Sequence, residues 1–290
     1  MEFEGYYESN YQRFGGLTIH KENLDKANEE SLRNYIKVLL LPAGYELMVD
    51  FNHYTTTSPS LFFINSNQYL QMLKVSDAPG FMIYYNRDFY CIQIHDSEVA
   101  CDGLLFNNLY QMPMTVIPKN EISVIYSLFG FIQEEFTLQE VSQEEMIRTY
   151  LKQLIIRATR LWKKQHLDDT SEESADEVEF FREFSRLVEI HYREKHSVAD
   201  YAEILAVASK TLSNKFKRLG WPQPNDIIKE RIILEAKRLL NYTNNSVKEI
   251  AYELGYDDPA YFNRLFTNKV GDSPAAFRKK YSQGKNVQLR

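Results

Sequence analysis

The sequence predicts an α+β multidomain protein: a strand-rich front followed by two helices, then an all-α rear in which one helix-turn-helix pattern occurs twice. Three observations predict this. Val, Ile, Tyr and Phe crowd the front between Pro-Ala-Gly, Ser-Pro-Ser and Ala-Pro-Gly punctuation. An acidic stretch without apolar periodicity, LDDTSEESADEVE, interrupts the chain from Leu167 to Glu179. Beyond it, a set of apolar spacings recurs 49 to 50 residues later. The length of 290 residues suits two domains of ~150 residues each.

In the front, YIKVLLLPAGYELMVDFNHY, SLFFINSNQYLQMLKV and GFMIYYNRDFYCIQIH read as short antiparallel strands joined by turns. They predict a small β-sandwich or barrel over about residues 15 to 115. Two helices follow, at about 120–136 and 143–166, and complete a domain of residues 1–166. In the second helix Met146, Tyr150, Leu151, Leu154, Ile155, Ala158, Leu161 and Trp162 recur at helical spacing. So long a stripe has to be covered, either by its own domain or by an antiparallel partner helix from a second copy. Both are expected to contribute, with Tyr150, Leu151, Leu154, Ile155, Ala158, Leu161 and Trp162 as the dimerisation residues of a homodimer.

Residues 167–179 are expected to be a solvated acidic linker, leaving 180–290 as the rear domain. Charge divides at a similar place. From residue 191 onward there are 18 Lys and Arg against 11 Asp and Glu, a surplus of +7, while the rest of the chain carries −13 of the net −6. A basic end on an acidic body favours a polyanionic partner at that end, nucleic acid or an anionic membrane, and shape has to choose between them.

The shape is legible near the C-terminus. In SVKEIAYELGYDDPAYFNRLFTNKVGDSP, Val247, Ile250, Ala251 and Leu254 line one face of a short helix that Ser246 can cap. Gly255 stops it, Asp258 and Pro259 start another, and Phe262, Leu265 and Phe266 give that helix its inward stripe. Its other edge shows Ala260, Asn263, Arg264 and Thr267. Val198, Tyr201, Ala202 and Leu205 repeat the first stripe, Ser209 is expected to cap the next helix, and Leu212 and Phe216 repeat the second stripe. The matching edge carries Lys210, Thr211, Ser213, Asn214 and Lys217. The units cover about 197–219 and 246–270, joined by a helix at about 224–240 with Ile228, Ile232, Ala236 and Leu239 on one face. Arg and Asn suit bidentate contacts with guanine and adenine, and Lys, Ser and Thr suit phosphates, so two such edges predict double-stranded DNA as the polyanion. An ordinary helical hairpin is the alternative for either unit alone.

The stretch SVKEIAYELGYDDPAYFNRLFTNKVGDSPAAFRKKY, with RIILEAKRLL before it, closely resembles the DNA-binding domain of AraC-type transcriptional regulators. The resemblance covers about residues 185–283. It implies that each second helix enters a major groove, with Lys210, Ser213, Asn214 and Lys217, and Ala260, Asn263 and Arg264, at contact positions. The first unit departs from the family pattern at Ala206, where glycine is frequent, and in GWPQP, where proline comes one residue late. The front is similar in layout to the cupin-like sensor and dimerisation domains of many such regulators. The resemblance therefore implies a dimeric activator that responds to a small-molecule effector and contacts RNA polymerase, with repression left open.

No catalytic motif is found, no cofactor is expected, and the chain is not expected to be an enzyme. A cupin-like metalloenzyme with a DNA-binding tail would need clustered ligands, for which His53, His95, Glu46 and Asp50 are the candidates without any His-x-His pair. A ligand-independent DNA-binding regulator is the other alternative. Front aromatics, among them Phe51, Tyr54, Phe62, Phe63, Tyr69, Phe81, Tyr84, Tyr85 and Tyr90, are divided between core and any ligand pocket. Two cysteines, Cys91 and Cys101, are too few for a disulfide scaffold. No apolar run reaches the ~18 residues of a membrane span, and the first residues are acidic and aromatic, so a cytoplasmic protein is expected.

Overall fold

A computed structural model of the chain describes residues 4–9, 12–66, 68–86, 88–90, 105–106, 114–138, 142–166, 173–218 and 221–285. Cys91, His95 and Cys101 lie outside these residues. The chain divides into two compact units, Met1–Ala175 and Asp176–Arg290.

The first unit is built on two antiparallel sheets. Strands β1 (Glu4–Ser9), β2 (Gln12–Ile19), β3 (Ile36–Leu41), β6 (Ser60–Ile64), β8 (Gly80–Tyr85) and β9 (Met114–Val116) form one sheet in the order β1-β2-β8-β3-β6-β9. Strands β4 (Glu46–Val49), β5 (Asn52–Thr55) and β7 (Leu70–Lys74) form the other in the order β5-β4-β7. A single turn of helix, α1 (Leu24–Ala27), lies between β2 and β3. The strand region thus starts about ten residues earlier than expected. The EGYYES and QRFGGLTI segments pair from Glu4↔Leu17 to Ser9↔Gln12, a partnership that local alternation alone does not reveal.

Every residue of IKVLLL in β3 and of SLFFI in β6 is buried, as expected of strands covered on both faces. Leu39, Leu41, Phe62, Ile64, Met82 and Tyr84 share one core with Leu47, Val49, Leu70 and Met72 of the small sheet. The opposite face is covered by α2 (Ile122–Leu138) and α3 (Gln143–His166): Phe129 lies 6.2 Å from Phe81, and Phe136 stacks on Phe14 at 5.6 Å. Of the front aromatics, Phe62, Phe63, Tyr84, Tyr85 and Tyr90 are buried. Asp50 is also buried, its carboxylate accepting the Tyr69 N–H at 3.1 Å, and Glu46 pairs with Lys74 at 2.9 Å. Among the described residues no three His, Cys, Asp or Glu side chains gather as a metal group.

The stripe on α3 requires a correction. Leu151, Leu154, Ile155, Ala158, Leu161 and Trp162 are all buried within a single chain, and Tyr150 is half-buried beside Phe131. These side chains form the inner face of the α2–α3 layer and are not free to meet a second copy. The apolar residues left exposed here are Phe131, Leu138 and Met146. Periodicity marks the apolar face of a helix, but the burial of α3 is decided by α2 and the sheet.

The second unit is all helical: α4 (Glu173–His191), α5 (Val198–Ile204), α6 (Ser209–Arg218), α7 (Pro224–Tyr242), α8 (Val247–Glu253), α9 (Pro259–Val270) and α10 (Pro274–Lys285). Helix α4 occupies part of the stretch expected to be linker. Phe181, Phe184, Leu187 and Val188 are buried, with Phe184 4.9 Å from Phe216 and Phe181 4.6 Å from Trp221, and this packing carries the helix upstream into the acidic segment. On α7, Ile228, Ile232 and Ala236 are buried as the spacing indicates, but Leu240 rather than Leu239 completes the row. No described helix is long and apolar enough to cross a membrane.

The two short helix pairs are built alike. Ser197 and Asp200 form a capping box on α5, and Ser246 and Glu249 form one on α8. At the turn, Val207 N–H donates to the Ala202 carbonyl and Tyr256 N–H to the Ala251 carbonyl, each at 2.9 Å. Both turns need a left-handed residue: Gly255 has φ 77° and Ala206 has φ 52°. Ser209 does not cap α6 but is its first residue. The carbonyl of Ala208 accepts the Leu212 N–H at 3.0 Å, so the cap position falls one residue earlier, opposite Asp258 of the second helix pair. Because Ala206 holds a conformation that disfavours a Cβ, Ala206→Gly is expected to stabilise the second unit by about 0.5–1 kcal/mol after the entropy gained by the unfolded chain is subtracted. Urea unfolding of the full chain would measure it.

Candidate nucleic-acid interface

The candidate interface is carried by α6 and α9, each held on its scaffold by a few large apolar side chains. On α6, Leu212 and Phe216 are buried and Phe216 packs against Phe184 and Trp221. On α9, Phe262 and Phe266 are buried, with Phe262 5.6 Å from Tyr256 and Phe266 5.6 Å from Phe277 of α10. Asp258 caps α9 by accepting the Ala260 N–H at 2.8 Å, and Pro259 takes the first helical position. At the other end Gly271 is left-handed, and Lys269 ties α9 to α7 through Asp226 at 3.0 Å.

With the apolar edges held inward, the opposite edges face outward. Lys210, Thr211, Asn214 and Lys217 of α6 and Ala260, Asn263 and Arg264 of α9 are exposed. Ser213 and Thr267 are half-buried, and the Thr267 hydroxyl donates to the Asn263 carbonyl at 2.8 Å, within its own helix. Thr267 therefore offers an outside partner less than the spacing suggests. Lys215 and Arg218, which the sequence pattern does not single out, line a shallow depression with Thr211 and Asn214; the Lys215 ammonium lies 3.9 Å from the Phe180 ring centroid.

The cations on these edges differ from the arginines of the scaffold behind them. Lys210, Lys217 and Arg264 have no hydrogen bond or ion pair to another described residue. Arg193, Arg231 and Arg238 are engaged by carboxylates, and Arg278 donates to the Leu240 and Asn245 carbonyls. Unneutralised cations and free amides on two projecting helices are groups suited to phosphates and base edges.

Behind the interface lies a buried ionic cluster that periodicity did not reveal. The Arg231 guanidinium, on α7, is fully buried and forms a two-point pair with Glu189 of α4 at 2.6 and 3.0 Å. It also donates to Glu235 at 2.9 Å and lies 3.8 Å from the Tyr192 ring centroid. Arg238 shares Glu235 at 3.3 Å, and Arg193 lies 3.6 Å from both Glu235 and Glu253 of α8. Burial pushes the Glu235 carboxyl up, but Arg231 and Arg238 outweigh it and hold the group below the usual glutamate range. The cluster joins α4, α7 and α8, and so fixes the scaffold of one helix pair to that of the other.

Two short helix pairs of matched construction, presented by a shared central helix, define a tandem helix-turn-helix domain. Residues 201–280 match the family described as Helix-turn-helix domain. The curated relatives include Histidine kinase P4 of Formosa agariphila, 25% identical over 58% of this chain and 13% of its own length. They also include the uncharacterized HTH-type transcriptional regulator YisR of Bacillus subtilis, 33% identical over 33% of this chain and 34% of its own. Among solved structures, the C-terminal domain of the two-component response regulator yesN from Fusobacterium nucleatum is 26% identical over 36% of this chain and 98% of that one, with a TM-score of 0.32. The C-terminal unit of this chain contains a helix-turn-helix domain of that family. The matched segment spans about a third or less of the length of these two curated relatives.

Proposed function

We propose that the chain is a sequence-specific transcription regulator that binds double-stranded DNA through α6 and α9. The observation that carries this reading is the pair of projecting edges on which Lys210, Lys217 and Arg264 stand unneutralised beside Asn214 and Asn263. The name of the relative YisR, an HTH-type transcriptional regulator, supports it. Two reading helices in one unit suit an asymmetric site of two successive major-groove segments. In this reading the chain works in the cytoplasm as a homodimer and is not an enzyme. The front unit pairs the chains and senses a small-molecule effector, and RNA polymerase is the further partner. Phe131, Leu138 and Met146, exposed on α2 and α3, are among the apolar side chains of the described residues that could serve this pairing.

Arg264→Ala tests the reading. With DNA fragments selected from the genome and fixed salt, affinity is expected to fall by roughly 1–3 kcal/mol, with relaxed preference at one base position. Unchanged preference in a binding-competent variant would remove Arg264 from base reading.

A further inference from the structure

The two helix-turn-helix units match in backbone but not in the charge of their first helices. On α8, Lys248 and Tyr252 stand one turn apart, both exposed, with the ammonium 5.7 Å from the Tyr252 ring centroid. Neither has a hydrogen bond or ion pair to another described residue. The acidic residues of the same helix are committed elsewhere: Glu249 completes the capping box, and Glu253 accepts from Asn245 at 3.3 Å and faces Arg193. The free edge of α8 is therefore a cation beside a phenol. The corresponding positions of α5, 49 residues earlier, are Ala199 and Glu203, both exposed. One edge would attract a polyanion and the other would not.

In helix-turn-helix docking, the second helix enters the major groove while the first crosses the sugar-phosphate backbone. An ammonium and a hydroxyl on the outer edge of a first helix are thus placed to meet phosphates, contacts that position a protein without reading sequence. We propose that Lys248 and Tyr252 form a phosphate clamp that makes the second unit the electrostatic anchor on the duplex, while the first unit engages without such a clamp. The inference rests on the DNA-binding reading above and adds a division of labour between the units.

The test is an anisotropy titration of the full chain on a random-sequence duplex and on a selected genomic duplex across a salt series. Each phosphate neutralised adds about 0.9 to the slope of log affinity against log salt. Lys248→Ala is expected to make the slope shallower by about that amount and to weaken binding roughly tenfold at 0.1 M salt, equally on both duplexes. Tyr252→Phe, which keeps the ring, is expected to weaken both equally with little change in slope. Ala199→Lys should steepen the slope by placing the missing cation on the first unit. An unchanged slope in Lys248→Ala, while the wild type binds, overturns the clamp and leaves DNA binding intact, as does a loss confined to one base position. A wild type that binds neither duplex at any salt overturns the DNA-binding reading and the clamp with it.

Discussion

Gly255→Ala is expected to unfold the second unit under conditions in which the wild type is folded. A Cβ at this position would lie 1.9 Å from the Arg193 carbonyl oxygen and 3.2 Å from His196 Cε1, and the backbone is left-handed at φ 77°. The obstacle is main chain, so no side-chain rotation relieves it. The connection between α4 and α5 would have to move, and with it Arg193, which faces Glu235 and Glu253. The conformational cost of a Cβ at such a φ is about 1–2 kcal/mol, and displacing packed backbone raises the expected loss to about 3–5 kcal/mol. That is a large part of the roughly 5–15 kcal/mol that holds a domain together.

Gly271 supplies the control. It is also left-handed, at φ 86°, but an added Cβ meets nothing within 4 Å, so Gly271→Ala is expected to lose only about 1 kcal/mol. Denaturant unfolding followed by Trp221 fluorescence in a Trp162→Phe background would rank the two. Equal losses would mean that the approach of Arg193 is not what requires glycine at 255.

Glu189→Ala is expected to have an effect of similar size by a different cause. Arg231 has only 1% of its side chain exposed and loses both hydrogen bonds to Glu189 in this variant, leaving it to share Glu235 with Arg238. Breaking a buried ion pair from one side typically costs about 3–5 kcal/mol, because the remaining charge is stranded in a poorly polarisable setting. Replacing both partners by apolar residues, Arg231→Met with Glu189→Leu, is expected to recover much of the loss, since the desolvation of both charges is then removed. A double-mutant cycle in urea checks this. Failure of the double replacement to recover would assign the cluster's importance to the packing of Arg231 on Tyr192 instead. Glu235 adds a pH dependence. Its carboxyl is held below the ordinary value of 4.5, so its contribution is present above that pH and is lost as the pH falls through the depressed folded-state value.

What the sequence by itself determined was whatever depends on neighbours a few residues away. The cap at Ser246, the stop at Gly255, the start at Asp258 and Pro259 and the stripes of Ile250, Ala251, Leu254, Phe262 and Phe266 are set within one or two helical turns. Because the same signals occur twice, the tandem unit and the exposed residues Lys210, Thr211, Asn214, Lys217, Ala260, Asn263 and Arg264 of α6 and α9 were legible, whereas the half-burial of Ser213 and Thr267 was not. Helix α3 could be bounded at 143–166 for the same reason.

The tertiary structure decided what covers each face and which charges meet. A stripe from Leu151 to Trp162 suits a partner chain or the same chain equally well, and only the placement of α2 and the sheet shows that it is consumed internally. Acidic composition around Glu173 suggests a solvated spacer, yet Phe181 and Phe184 find Phe216 and Trp221 more than thirty residues away and fold the segment as helix. Arg231 reads as one more charge on an amphipathic helix until Glu189, 42 residues earlier, is brought against it. Apolar spacing and capping are local and survive in one dimension, whereas burial and charge pairing depend on chain closure over long separations.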